Sequence, residues 1–173
     1  MEIHEMTERE CRARLGGTNV ARLACARNNQ PYVVPIHVDL DGDYLYGYAT
    51  LGQKIEWMRQ NPLVCVEIDE LRARGQWASV VVFGHYEELP NTPGYEGPRR
   101  VAERLFQRHA MWWEPASVPI DRRERRPSIV FRIGISTMTG RRAGPEATAG
   151  GGDPAETKRM SWLTRGMRRG VRQ

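Results

Sequence analysis

Only two of this 173-residue chain's 26 basic side chains are lysines, Lys54 and Lys158, and the rest are arginines. Lys54 stands in "YGYATLGQKIEWMRQNP", residues 46–62, where a strand-like stretch gives way to a short helical one. The ammonium group therefore falls in the first turn of a helix, where the macrodipole is positive and backbone N–H groups lack partners. Acidic side chains are the favoured occupants of such a place. A cation there makes electrostatic sense if an anion fills the space between it and the N–H groups. Thr50 and Gln53 add a hydroxyl and an amide able to bond the anion's oxygens, and Gly52 lets the backbone come close. Phosphate suits these residue types at this spacing. A solvent-facing lysine at a helix end is the other reading of the same residues.

No self-contained catalytic constellation accompanies it. The chain has no HExxH, no CxxC, no Walker loop and no GxSxG. Its four histidines, His4, His37, His85 and His109, are scattered without ligand spacing. Hydrolytic and metal-dependent chemistry gain no support, and a redox activity would need a cofactor to supply it. The three cysteines, Cys11, Cys25 and Cys65, are odd in number and unpaired in spacing, which predicts reduced thiols in a cytoplasmic protein. The opening "MEIHEMTERE" is acidic and polar, unlike a secretion signal, and no apolar run approaches a membrane span.

Charge is distributed unevenly. Residues 1–139 carry 18 basic and 18 acidic side chains, whereas residues 140–173 carry eight and three and so supply the whole net +5. The basic character belongs to the tail, which weakens a nucleic-acid reading of the body. From Arg141 onward "AGPEATAGGGDPAE" is rich in Gly, Ala and Pro and cannot build a core. The expected organisation is one domain over residues 1–140 and a flexible basic C-terminal tail over 141–173.

The elements that must position Lys54 follow from periodicity. "TERECRARLG" reads as a helix capping one end of a sheet, and "VARLACA" as a strand. After the turn cluster "NNQP", "YVVPIHVDL" alternates with Tyr32, Val34, Ile36, Val38 and Leu40 on one face and Val33, Pro35, His37 and Asp39 on the other. "DGD" connects tightly into the strand "YLYGYAT". Beyond the helix "GQKIEWMRQ" come "LVCVEID", a polar loop "LRARGQ", and the long strand "WASVVVFGHYEEL", bent near Gly84. "NTPGYEGP" interrupts the pattern. "RRVAERLFQRHAMWW" is an amphipathic helix with Val101, Ala102 and Leu105 inward, and "SIVFRIGISTMTG" is the last strand. Six strands with short connections and few helices predict a mainly β fold, a small antiparallel barrel with flanking helices.

The stretch "QPYVVPIHVDLDGDYLYGYATLGQKIEWMRQNPLVCVEID", with "GTNVARLA" before it and "WASVVVFG" and "FRIGISTMTGR" after it, resembles the FMN-binding split barrel of the pyridoxamine 5′-phosphate oxidase-like superfamily. It is most similar to the branch containing nitroimidazole-resistance proteins. The resemblance covers roughly residues 7–140 and implies a six-stranded antiparallel split β-barrel in a flavoprotein homodimer, with the flavin at the subunit interface. It implies an FMN-dependent oxidoreductase passing hydride or electrons to a small molecule. Non-catalytic binding modules and relatives using deazaflavin F420 or heme stand as alternatives.

Carried over by position, Val33, Val34, Pro35 and Ile36 would line the flavin ring with backbone groups. Tyr48, Ala49 and Thr50 would follow the ribityl chain, and Gln53 and Lys54 would hold the phosphate. Many relatives have an Arg-Lys-like pair there, so Gln53 brings less positive charge. Trp77 and Ser79, on one face of their strand, match flavin-touching positions, and Trp112 and Trp113 resemble an aromatic segment that closes over the ring. Core or interface anchoring is the other reading of these tryptophans. His37 could approach the ring or serve as a partly buried, hydrogen-bonded histidine. The C-terminal Arg- and His-bearing substrate pattern of the true pyridoxamine-phosphate oxidases is not found here.

Overall fold

The computed structural model describes residues 2–108 and 128–144. Three two-residue turns organise most of its sheet. Between β2 (Val20–Arg27) and β3 (Gln30–His37), Asn28 and Asn29 both take left-handed conformations, φ 49° and 62°, the type I′ geometry that matches the twist of paired strands. Gly42, at φ 58°, turns β4 (Asp39–Asp41) into β5 (Tyr44–Thr50). Gly75, at φ 80°, turns β6 (Leu63–Ala73) into β7 (Gln76–Glu88). With β8 (Ser128–Ala143) the strands run in the order β3-β2-β6-β7-β8-β5-β4, and β1 (Ile3–Glu5) pairs with β8. Every pairing is antiparallel.

β8 is the seam of the sheet. One edge pairs with β7 from Phe131 to Ala143, while the other is shared by β5, over Ser128–Gly134, and β1, over Arg141–Ala143. Leu23, Leu45, Val66, Val80, Val82, Phe131 and Ile133 turn inward and are fully buried. Two helices close this core: α1 (Glu8–Gly16) through Cys11 and Leu15, and α2 (Gln53–Gln60) through Ile55 and Met58. A second cluster, Tyr46, Leu89, Ala102 and Leu105, seats α3 (Glu96–Arg108) on the opposite side of β5. No described helix is long and apolar enough to cross a membrane.

The fold class is the expected one, but the described residues form eight strands, not six. β1 has only three residues, too few for periodicity, and exists because β8 offers it an edge. "YVVPIHVDL" divides at Val38, whose N–H donates to the Asn19 carbonyl at 3.1 Å before the chain leaves β2 for β5. "LRA", expected in a loop, continues β6 to Ala73 as a ribbon whose Leu71 is 76% exposed, so burial gave it no apolar alternation. β8 runs to Ala143, past the expected boundary at 140, because β1 pairs with its last residues. α3 begins at Glu96, inside the expected break, since Pro98 sits in a first turn that needs no donor from it. Of the tail expected over 141–173, residues 145–173 lie outside the described residues.

Candidate functional site

The path of α2 is fixed at its far end. Asn61 Nδ2 donates to the Ala26 carbonyl beside the β2–β3 turn at 3.0 Å, and the Trp57 ring lies 5.5 Å from that of Tyr32 on β3. The helix packs against β2, and its far half touches the start of β3 through Trp57 and Tyr32. Its first turn has no side-chain cap: Gly52 is the N-cap, and the first helical bond runs from Glu56 N–H to the Gly52 carbonyl at 3.1 Å. The N–H groups of Gln53, Lys54 and Ile55 are thus left without a helical acceptor. α1 shows the contrast, with a complete capping box between Thr7 and Glu10, although both helices carry an acidic residue in the first turn, Glu56 in α2. A side chain at Gly52 would meet nothing within 4 Å, so the space over this helix end is open. Lys54 is half-buried at its margin, and Gln53 is exposed.

Among the described residues β3 pairs only with β2, which leaves its other edge open. The two-residue turn makes Arg27–Gln30 a hydrogen-bonded pair, and alternation then makes Leu23–Val34 and Ala21–Ile36 hydrogen-bonded pairs as well. The Val38 N–H to Asn19 carbonyl bond keeps the same parity. Val34 and Ile36 accordingly spend their backbone groups on β2 and their side chains on the core. Val33 and Pro35 direct theirs off the edge: one N–H and one carbonyl from Val33, one carbonyl from Pro35. Both prolines of this strand, Pro31 and Pro35, occupy positions whose missing donor would have faced the open side, where proline is tolerated.

β5 continues the same surface. Ala49 is 8% exposed and packs into the main core, whereas Tyr48 points the other way, its ring 5.0 Å from Phe106 of α3 and 6.2 Å from His37. Thr50, two residues on, shares the Tyr48 side and is half-buried. His37 is buried, its Nε2 3.6 Å from Asp39 Oδ2, and Asn19 Nδ2 holds the other carboxylate oxygen at 3.1 Å. Of the two expectations for His37, the buried one is observed. Phe106, Asp39 and Asn19 were not singled out from the sequence. The helical spacing that marked Ala102 and Leu105 brings Phe106 beside them, but nothing local pairs it with β5.

The structure thus puts Val33 and Pro35 on the open edge of β3, Tyr48 and Thr50 on one side of β5, and Gln53 and Lys54 in the helix turn that follows β5 in the chain. It does not bring Trp77 and Ser79 to the β3 edge within one chain. Both are half-buried on β7, and β2 and β6 lie between β7 and β3, a separation of roughly 14 Å at ordinary strand spacing. Trp112 and Trp113 lie outside the described residues. Among the described residues no cluster of three His, Cys, Asp or Glu side chains could hold a metal ion.

The fold recurs in known proteins. An uncharacterised protein of Rhizobium meliloti is 41% identical over 146 residues, which cover 83% of this chain and 97% of that one. The crystal structure of a FAD-binding protein from Mesorhizobium loti is 39% identical, with TM-score 0.70, over 84% of this chain and 99% of that one. A candidate 5-nitroimidazole antibiotic resistance protein from Bacteroides thetaiotaomicron shares the fold at 18% identity, with TM-score 0.58, over 84% and 93% of the two chains. A family model described as pyridoxamine 5′-phosphate oxidase matches residues 7–142, from the cap of α1 to the end of β8. With α1, α2, all three hairpins and nearly all of β8 inside that match, the chain belongs to the pyridoxamine 5′-phosphate oxidase family.

Proposed function

We propose that this chain binds a flavin nucleotide in a cleft between the start of α2 and the open edge of β3, and uses it to pass hydride or electrons to a small molecule. The observation that carries the reading is the uncapped, lysine-bearing start of α2 in a fold that also leaves the edge of β3 open. The residues fit the group. Three helix N–H groups and the Lys54 ammonium suit a phosphate, with the Thr50 hydroxyl and Gln53 amide for its remaining oxygens. The outward N–H and carbonyl of Val33 and the carbonyl of Pro35 offer one donor and two acceptors to the polar edge of a flavin ring. Bound there, the flavin supplies the redox chemistry; the protein's part is to hold, orient and desolvate it.

FMN suits a site with one helix end and one lysine. The relation to a FAD-binding protein makes FAD the competing nucleotide, ahead of F420 or heme. A cleft on the outer side of one barrel leaves a flat ring open to water. Val33 and Phe83, 57% and 53% exposed on that same side, suit coverage by a second copy in a homodimer, with Trp77 and Ser79 of that copy meeting the ring. A flavin carrier without turnover is the second reading, favoured by the burial of His37 and Asp39, the titratable pair nearest the cleft. The deciding experiment is the spectrum of the purified protein. An oxidised-flavin band, with FMN or FAD identified by mass spectrometry of the released ligand and bleached by NAD(P)H, is expected. A colourless protein that takes up neither nucleotide sinks the proposal, and a bound flavin that no donor reduces selects the carrier.

A further inference from the structure

We infer that the cavity beside α1 is a second binding site, one that takes a small organic carboxylate with an apolar body. About 750 Å³ lie between this helix and the β6–β7 ribbon, within the roughly 300–1,000 Å³ of small-molecule sites. The cavity opens against the inward-facing Ile68, Ala78 and Val80, not against the β3 edge, and it shares Ser79 with the surface that the homodimer reading turns toward the partner's flavin.

The space is built into the way α1 is seated. On one flank the helix is clamped to β8: Met6 N–H donates to the Gly140 carbonyl at 2.8 Å, and a methyl group at Gly140 would come within 2.5 Å of both Cys11 Sγ and Met6 Cε. Cys11 and Leu15 are each 1% exposed, so the helix cannot settle further. On its other flank the chain places Ala13 and Gly17, and Ala78 lies on the ribbon, short residues where longer ones would fill the gap. The helix is held tightly and the cavity persists beside it.

Its rim selects charge. Arg9, Arg14, Arg72 and Arg142 line it together with Glu10, Asp69 and Glu70. Each carboxylate is already engaged. Glu10 accepts from Thr7 and lies 3.7 Å from Arg142, Glu70 is paired with Arg14 and Arg72, and Asp69 is paired with Arg22. Four guanidinium groups against three committed carboxylates leave an excess of positive charge, and Arg9 has no ion pair among the described residues. A guanidinium presents a planar fork that matches a carboxylate with two parallel bonds. Over a floor of Ile68, Ala78 and Val80, that rim suits an aromatic or aliphatic acid better than its amide or amine.

The test titrates the protein as purified with 2-naphthoate, 2-naphthamide and 2-(aminomethyl)naphthalene by calorimetry. Naphthoate is expected to bind once per chain, at least about tenfold more tightly than either of the others. Ala13→Trp, at an exposed helical position, should fill the cavity and remove at least about tenfold in naphthoate affinity while flavin content stays unchanged. Arg9→Gln should weaken naphthoate and leave naphthamide unaffected, and it keeps the question open to measurement if the bulkier variant folds poorly. Equal binding of the three probes, indifference to both substitutions, or release of bound flavin by naphthoate would each overturn the assignment.

Discussion

Arg59 in the last turn of α2 and Glu88 at the end of β7 form a two-pronged ion pair, Nε–Oε1 2.6 Å and Nη2–Oε2 3.0 Å, and the Tyr86 hydroxyl donates to the same Oε1 at 2.8 Å. The pair ties down the helix whose other end carries Lys54. Hydrogen bonding from Arg59 is the main force holding the Glu88 carboxyl below its ordinary 4.5, against the opposing effect of burial. A depressed folded-state pKa means the contribution is fully present above the unfolded value and is lost as pH falls through the folded one. Urea unfolding should therefore show stability declining as pH is lowered below 4.5, and Glu88→Gln should flatten that part of the profile. At neutral pH the variant should lose the same modest amount that the flattening removes, modest because Arg59 is half exposed and screened. An unchanged acid limb in the variant would show that other carboxylates dominate.

Lys54 is the most direct probe of the proposed flavin site. Lys54→Ala removes one charge-assisted contact to a phosphate, a loss of about 1.5–3 kcal/mol in FMN affinity. Riboflavin, which lacks the phosphate, should bind the variant and the parent equally. Fluorescence titration of both ligands reads the ratio directly, and equal weakening of the two would place the phosphate elsewhere.

Gly47 tests how tightly the cleft is backed by the core. A methyl group there would lie 2.7 Å from Phe131 Cζ and 3.0 Å from the His37 carbonyl oxygen. Phe131 is fully buried and cannot swing aside. Gly47→Ala should cost about 1–3 kcal/mol by overpacking, seen as a lower urea midpoint at unchanged slope. No change in midpoint would mean that β5 shifts freely against β8.

These residues also show what could be read before the fold was known. β7 and the middle of β8 alternate long enough to declare themselves, and the Lys54 helix start is a local electrostatic anomaly, so both were legible. β1 and β4 have three residues each and exist only through their partners, β8 and β5. Alternation separates Val33 and Pro35 from Val34 and Ile36 by side-chain face, but which pair turns its backbone groups off the edge follows only from hydrogen-bond parity. That parity is set by the Asn28-Asn29 turn, so the signal lay in the sequence without being counted. The meeting of Tyr48, His37 and Phe106 is a different matter. It depends on α3 crossing β5, a contact between segments more than fifty residues apart that no local pattern encodes.

Phe83 bears on how the cleft is completed. It is 53% exposed on the outer side of β7, directly across from Cys65, which is in turn across from Ala24, which faces Val33 on the open strand. A row of apolar side chains thus crosses β7, β6, β2 and β3 and ends beside the proposed flavin ring. If a second copy covers this row, Phe83→Glu buries a carboxylate against an apolar surface and should give monomers by analytical ultracentrifugation. The fold should survive, since the side chain is outside the core. Flavin affinity should fall with the dimer, because Trp77 and Ser79 cannot reach the ring from β7 of the same chain. A monomeric variant that keeps full flavin affinity would show the cleft to be complete within one barrel, and a variant that stays dimeric would move the interface to another face.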